Sequence, residues 1–300
     1  MRARIGRLEL AKPVMTASGT FGFGEEYRSL VDLGALGAIV TKGISLRPRA
    51  GNPAPRIAET PCGMLNAVGL ENPGLEAFLR DKLPGLREMG PAVVVNILGD
   101  TLEDYAALAR ALDGAGGVDA LEVNISCPNV ERGGLAFGTD PALAAEVAAA
   151  VRESTRLPVL VKLTPDVTDI AAVARAVAAT GVDGLVCINT LRGMAIDPLS
   201  GRPRLGKVIG GLSGPAIRPV ALRAVFEVAR EVDTAVVGVG GIGCWQDAVE
   251  FLRAGAVAVQ VGCATFRDPS AAVMVLRGLE DFLKGLGVRS CSQLVGAVEL

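Results

Sequence analysis

Eight short apolar runs recur along the chain, at 14–17, 38–41, 93–97, 121–125, 159–163, 185–189, 236–239 and 257–261. They are rich in Val, Ile, Leu and Ala, and each is too short for a buried helix. Near-continuous apolar runs of this length mark strands buried on both faces. Between them the pattern changes to helical spacing, and each strand is expected to be followed by a helix. Thr101 reads as an N-cap, with Glu103 and Asp104 in the first turn of a helix that reaches Leu112. Asp140 is a second cap, with Pro141 at the first helical position and an Ala-rich body to Arg152. Helices are also predicted over 170–179, stopped by Gly181, and over 215–231 and 245–254. Eight strand–helix units in succession predict an α/β chain closed as a (β/α)₈ TIM barrel. The opening stretch, 4–14, reads as a short hairpin plugging the barrel bottom.

Three connections are long and rich in Gly, Pro and Arg: 46–73, 128–138 and 191–214. Each follows a strand and so belongs to the carboxyl face, where barrels carry their sites. No compositional break marks a linker, so 1–300 is expected to form one domain. Half of the residues are apolar and the net charge is −2, which gives no footing for nucleic acid or for an acidic membrane surface. No run is long enough to cross a bilayer, the amino terminus lacks the apolar core of a secretory signal, and the cytoplasm is the expected compartment. The six cysteines, at 62, 127, 187, 244, 263 and 291, are far apart and form no C-x-x-C pair. They suit neither a zinc site nor a disulfide framework, and all but Cys127 are expected to pack as small hydrophobes.

The chain contains no histidine. A Ser-His-Asp triad is therefore excluded, and acid–base work falls to Cys, Lys, Asp, Glu or Tyr. Polar residues punctuate the strand ends in series: Ser18, Lys42, Asn96, Asn124, Cys127, Lys162, Asn189 and Thr190. So many, from successive strands of one barrel, converge on one site. Lys42 and Lys162 sit in apolar strand contexts, where an ammonium is costly unless an anion or a lone-pair-rich ligand meets it. The alternative is an internal ion pair to a strand-end carboxylate such as Glu122. Cys127 is followed by Pro128, which stops the strand, and is flanked by Ser126 and Asn129. That leaves a thiol at a strand end, although free cysteine is also among the most buried residue types.

The glycines of 238–243 follow the seventh strand, and Gly262 ends the eighth. Loops after these two strands commonly hold a phosphate in barrels, through backbone N–H groups; a plain tight turn is the other reading. No G-x-G-x-x-G follows the first strand, which argues against a Rossmann-type dinucleotide site. A phosphate-bearing cofactor lying across the barrel mouth, such as flavin mononucleotide, suits the lysines and amides better.

These motifs also carry a family resemblance. The segments 17–22, 41–43, 66–73, 124–129, 161–165, 188–190, 211–215 and 240–242 together resemble the class 1 dihydroorotate dehydrogenases, most closely the catalytic subunit of the 1B subtype. The resemblance implies a flavin-bearing barrel that oxidises dihydroorotate to orotate in pyrimidine biosynthesis. It implies Cys127 as the base that takes the C5 proton while a hydride leaves C6 for flavin N5. Lys42 is implied to be shared between flavin and the substrate carboxylate. The loop of Asn66, Ala67, Val68, Gly69 and Leu70, with Asn124, Asn129, Asn189 and Thr190, is implied to hold the substrate. Flavin contacts are implied at Ser18, Lys42, Gly43, Asn96, Asn124, Lys162, Ile188 and Gly214, with its phosphate at Gly240, Gly241, Gly262 and Cys263. Cys263 stands where a hydroxyl residue is expected, so its part there is a backbone one. The loop 129–134 is expected to close over the substrate.

One FMN per chain is implied, and no metal. The stretch 133–140 looks like the 1B subtype, which pairs with an electron-transfer subunit carrying FAD and a 2Fe–2S cluster and passes electrons to NAD⁺. The chain has no cysteine cluster for iron–sulfur ligation, so such a centre belongs to the partner. A homodimer within a heterotetramer is the assembly that the resemblance implies. The alternatives are a fumarate-linked 1A enzyme, an enzyme of another dihydropyrimidine, and a non-catalytic flavin-binding scaffold.

Overall fold

A computed structural model describes residues 1–126, 128–129, 135–288 and 290–299, with only the backbone at 128, 129 and 135. Eight parallel strands close into a barrel: β1 (Val14–Thr16), β2 (Ala38–Val40), β3 (Ala92–Ile97), β4 (Ala120–Asn124), β5 (Val159–Leu163), β6 (Gly184–Cys187), β7 (Ala235–Val239) and β8 (Ala256–Val261). Neighbours in sequence are neighbours in the barrel, and β8 closes on β1 with Gln260 opposite Met15. All eight runs expected from the apolar pattern are barrel strands.

The two faces of each strand explain the nearly unbroken apolar runs. Outward residues such as Val93, Val95, Leu121, Val123, Val161 and Leu185 pack under the surrounding helices. Inward residues such as Met15, Val40, Val94, Ala120, Leu160, Val186, Val237 and Ala258 fill the barrel. The helices start where the sequence marks them. Thr101 accepts from Asp104 in a capping box for Leu102–Ala115, and the Asp140 carboxylate accepts the amides of Ala142 and Leu143 ahead of Pro141–Ser154. Ile170–Ala178, Arg218–Glu231, Trp245–Ala254 and Ala271–Gly285 complete the outer layer with the helical stretch 75–87.

The amino-terminal hairpin, Ala3–Ile5 paired with Leu8–Leu10, inserts Ile5, Leu8 and Leu10 into the inner apolar cluster and so caps the barrel floor. Arg7 fastens it: its guanidinium and its backbone N–H both donate to Asp183 at the start of β6.

Three expectations need correction. No α-helix follows β1; two 3₁₀ turns, Glu25–Tyr27 and Leu33–Ala35, take its place in a glycine-rich stretch that disfavours a longer helix. Two of the long connections are not loose loops. Ile57–Thr60, Gly63–Asn66, Leu191–Gly193 and Gly210–Ser213 build one antiparallel sheet above the barrel, in the spatial order 191–193, 210–213, 63–66, 57–60. After β4, Pro128–Asn129 does not simply end extended structure, since it pairs antiparallel with Leu135–Ala136.

Candidate active site

Polarity inside the barrel changes along its axis. From the floor upward, inward positions two residues apart run Val94 to Asn96, Ala120 to Glu122 to Asn124, Leu160 to Lys162, and Ala258 to Gln260. Because side chains alternate along a strand, these polar residues all face the interior at the carboxyl end. They hold one another. The Lys162 ammonium donates to Ser18 Oγ at 3.1 Å and lies 3.7 Å from Glu122 Oε1. Asn96 Nδ2 donates to the same carboxylate at 2.8 Å, and Gln260 Nε2 to its other oxygen at 2.6 Å. Lys162 therefore does meet an internal carboxylate, as the alternative reading allowed, while it also reaches the strand-end hydroxyl. Lys42 lies at the end of β2, half-buried, and its ammonium makes no hydrogen bond or ion pair among the described residues.

A second cluster lies above β4 and β6. Asn189 Nδ2 donates to Ser126 Oγ at 3.0 Å and reaches Asn124 Oδ1 at 3.5 Å, while its own Oδ1 accepts the Thr190 amide at 2.8 Å. The Tyr105 hydroxyl donates to the Asn124 carbonyl at 2.6 Å and fixes the end of β4. The antiparallel sheet brings Asn66 over this cluster: its Nδ2 donates to the Gly211 carbonyl at 3.2 Å. A Cβ on Gly211 would fall 2.2 Å from Thr190 Oγ1, so Asn66, Gly211 and Thr190 are immediate neighbours. Beyond Asn66, Ala67 turns its methyl into a small apolar cluster with Leu65 and Leu205. Val68, Gly69 and Leu70 stay half-buried, with Gly69 and Leu70 in left-handed conformations. Cys127, the expected base, and 130–134 of the expected closing loop lie outside the described residues, and the side chain of Asn129 is not described.

The glycines meet at the far side of the mouth. Gly214 has φ +104°, and a Cβ there would stand 2.6 Å from Gly63 Cα and 3.5 Å from Cys263 Sγ. Gly241, at φ +77°, packs against the Gly214 carbonyl. Gly240, next to Gly241 in the chain, packs against Ala221 and Ile217; Gly262, next to Cys263, faces Ala17 and Thr20; and Gly43 packs against Leu98 and Asn96. Ile188 is buried at the end of β6. Burial pushes the Cys263 thiol up from its ordinary value, against a hydrogen bond with Ser213 that lowers it. A thiol held neutral is consistent with a backbone role for Cys263. The other cysteines divide: Cys187 and Cys291 are buried, whereas Cys62 and Cys244 are exposed and do not serve as packing.

Several members of the site were not singled out from sequence. Glu122 was expected only as a possible partner for lysine, Ser126 only as a neighbour of Cys127, and Gln260, Tyr105, Arg218 and Asp247 not at all. Asp247 accepts the Gly243 and Cys244 amides, pairs with Arg218, and so pins the glycine loop after β7. The signal for Glu122 and Gln260 was the alternation itself, since each lies two residues below another mouth residue. Two open pockets surround Arg4 at the opposite end of the barrel and contain none of these residues. Among the described residues no group of His, Cys, Asp and Glu could hold a metal ion, and no helix is long and apolar enough to cross a membrane.

A closed (β/α)₈ barrel with lysines, amides and glycine turns gathered at its carboxyl mouth has the architecture of a barrel enzyme. The chain belongs to the dihydroorotate dehydrogenase family, whose model matches residues 1–283. It is 53% identical over 300 residues to the dihydroorotate dehydrogenase B (NAD(+)) catalytic subunit of Geobacter sp. (strain M21), covering 100% of this chain and 98% of the relative. The subunits of the same name from Trichlorobacter lovleyi and Desulforudis audaxviator are each 56% identical, over 299 and 293 residues. Coverage is 100% of this chain and 98% of the relative in the first case, and 98% and 95% in the second. The family is one of flavin enzymes.

Proposed function

We propose that this chain is the catalytic subunit of an NAD⁺-linked dihydroorotate dehydrogenase, a single FMN-binding barrel domain over 1–300 that oxidises dihydroorotate to orotate in pyrimidine biosynthesis. The observation that carries the reading is the family match along 1–283, together with full-length relatives of that name. The residues present fit a flavin. One end of the mouth offers an ammonium, a hydroxyl and an amide at Lys162, Ser18 and Asn96, and the other offers the glycine backbone of 214, 240, 241 and 262 to a phosphate.

When bound, FMN supplies the two-electron acceptor. The chain's own residues do the rest. Cys127 takes the C5 proton, which a thiolate can do near neutral pH. Lys42 attracts the substrate carboxylate, and Asn66, Asn124, Asn129, Asn189 and Thr190 offer amides and a hydroxyl to the pyrimidine edge. Asn189 is itself held by Ser126 and Asn124, so it meets the substrate already oriented. Electrons leave through a partner subunit carrying FAD and a 2Fe–2S cluster, in a cytoplasmic heterotetramer built on a dimer of this chain; the relatives' description as catalytic subunits supports such a partner.

The purified chain should be yellow, and dihydroorotate should bleach it without oxygen. Cys127→Ala should keep its flavin and slow that bleaching by at least about a thousandfold. Unchanged reduction kinetics in this variant would remove Cys127 from the mechanism. Equal turnover of dihydrouracil would remove the carboxylate role of Lys42.

A further inference from the structure

Glu122 is completely buried, yet no step of the proposed reaction uses it. It stands on β4 with its carboxylate in the barrel interior. Asn96 of β3 donates to one oxygen and Gln260 of β8 to the other, with Lys162 of β5 3.7 Å away. A buried carboxylate with one cation and two neutral donors is an expensive arrangement, and apolar residues of similar volume would fill the same space without that cost. The inner layer below does so, with Val94, Ala120, Leu160 and Ala258. Gln260 adds a second cost, because its Oε1 has no hydrogen-bond partner among the described residues. Structure alone gives no reason to place a charge here.

Two of the three groups that Glu122 holds are groups assigned to the flavin. It fixes Asn96 by a hydrogen bond, and it places a negative charge behind the Lys162 ammonium, whose other contact is Ser18 Oγ. We propose that Glu122 is a positioning residue that sets the reduction potential of the bound flavin by offsetting the charge of Lys162. The inference rests on the flavin reading of the site. Its physical basis is electrostatic. Reduction adds two electrons and one proton to the ring, which becomes more negative by one charge. A lysine beside it favours that change, and a carboxylate behind the lysine opposes it. The interior is poor in water, so neither effect is screened as it would be at the surface. Glu122 therefore holds the potential below the value that Lys162 alone would impose, which eases onward transfer of the electrons.

The experiment compares the holoprotein with Glu122→Gln and Glu122→Asp by equilibrium titration with dithionite against a reference dye. Dithionite supplies the electrons and the buffer supplies the proton. Glu122→Gln keeps the shape and removes the charge, and its new amide can donate to Gln260 Oε1 once that side chain flips. It should favour the reduced flavin about tenfold, an upward shift of about 30 mV for a two-electron couple. Glu122→Asp keeps the charge but draws it back from Lys162, and should shift in the same direction by less. FMN affinity, read by fluorescence of the apoprotein titrated with FMN, should fall in Glu122→Asp, whose shorter side chain withdraws the acceptor from Asn96. A coloured Glu122→Gln protein with the wild-type potential overturns the proposal. So does a Glu122→Asp shift as large as that of Glu122→Gln, which would mark lost packing rather than lost charge. If Glu122→Gln does not fold, an unchanged potential in Glu122→Asp overturns it on its own. A wild-type chain that stays colourless after reconstitution with FMN overturns the flavin reading instead.

Discussion

Cys187 sits at the outward end of β6, wholly buried, and burial pushes its thiol up to about 12. In the unfolded chain the same thiol titrates near its ordinary value of 9.0. Between these two values the folded form binds the proton and the unfolded form releases it. The stabilising contribution is therefore complete below pH 9 and is lost as pH rises toward 12. Cys291, pushed up to about 11 by burial, acts in the same sense. From about pH 9 to about pH 10.5, Cys187 alone should cost about 1–2 kcal/mol of stability. Urea midpoints for wild type and Cys187→Ala across that range would show it: the variant should start lower, from lost packing, and then fall less steeply. Parallel curves would mean that the thiol is not held neutral. This residue also shows what single positions disclose. Its burial was legible in an apolar run, whereas the exposure of Cys62 and Cys244 was not, because Cys62 stands in the turn between 57–60 and 63–66 and Cys244 at the N-cap of Trp245–Ala254, and apolar spacing does not report the exposure of such positions.

Elements were legible to the degree that their signals are local. The barrel strands follow from apolar runs of four or five residues, and the helices at 102 and 141 begin beside caps visible in the sequence. The antiparallel sheet was not legible. Its strands are short, three of the four carry glycine at pairing positions, and Gly211 of one loop pairs with Asn66 of another across 145 residues. No periodicity within a window reports a contact at that separation. The sheet matters because it carries Asn66 to the cluster beside Thr190. Gly211 is the contact point, and only glycine leaves room for the threonine hydroxyl. Gly211→Val should displace Thr190 and Asn66 together and raise the KM for dihydroorotate at least about tenfold, a loss of about 1.4 kcal/mol or more in substrate binding. The flavin contacts proposed at Ser18 and Lys162 lie elsewhere in the mouth, so the ratio of flavin to protein absorbance should not change. A variant with lower flavin content and unaltered KM would place Gly211 in the cofactor site instead.

At the scale of the whole molecule, the barrel divides along its axis into an apolar end that holds the fold and a polar end that carries the proposed site. Sequence pattern reached this division in outline, since polar residues were seen to end successive strands. It did not reach the depth of the polar layer, because Glu122 and Gln260 lie inside runs whose apolar neighbours face outward. The hairpin belongs entirely to the apolar end. Ile5 is fully buried against the floor of the barrel, where Gly184 leaves space for its side chain, and Arg7 ties the hairpin to Asp183. Burial alone would raise the Asp183 carboxyl. The Arg7 guanidinium and the amides of Val159 and Arg7 outweigh it and hold that group below the usual carboxylate range. If the two ends act independently, damage to the floor should cost stability without touching the mouth. Ile5→Ala should lower the urea midpoint by an amount equivalent to about 2–5 kcal/mol, the range for removing a buried isoleucine side chain. At temperatures where the variant is folded, its flavin content and kcat/KM for dihydroorotate should match wild type. Loss of flavin in step with loss of stability would show that the hydrophobic floor and the polar mouth are one cooperative unit, and that the potential at Lys162 depends on packing as far away as the amino-terminal hairpin.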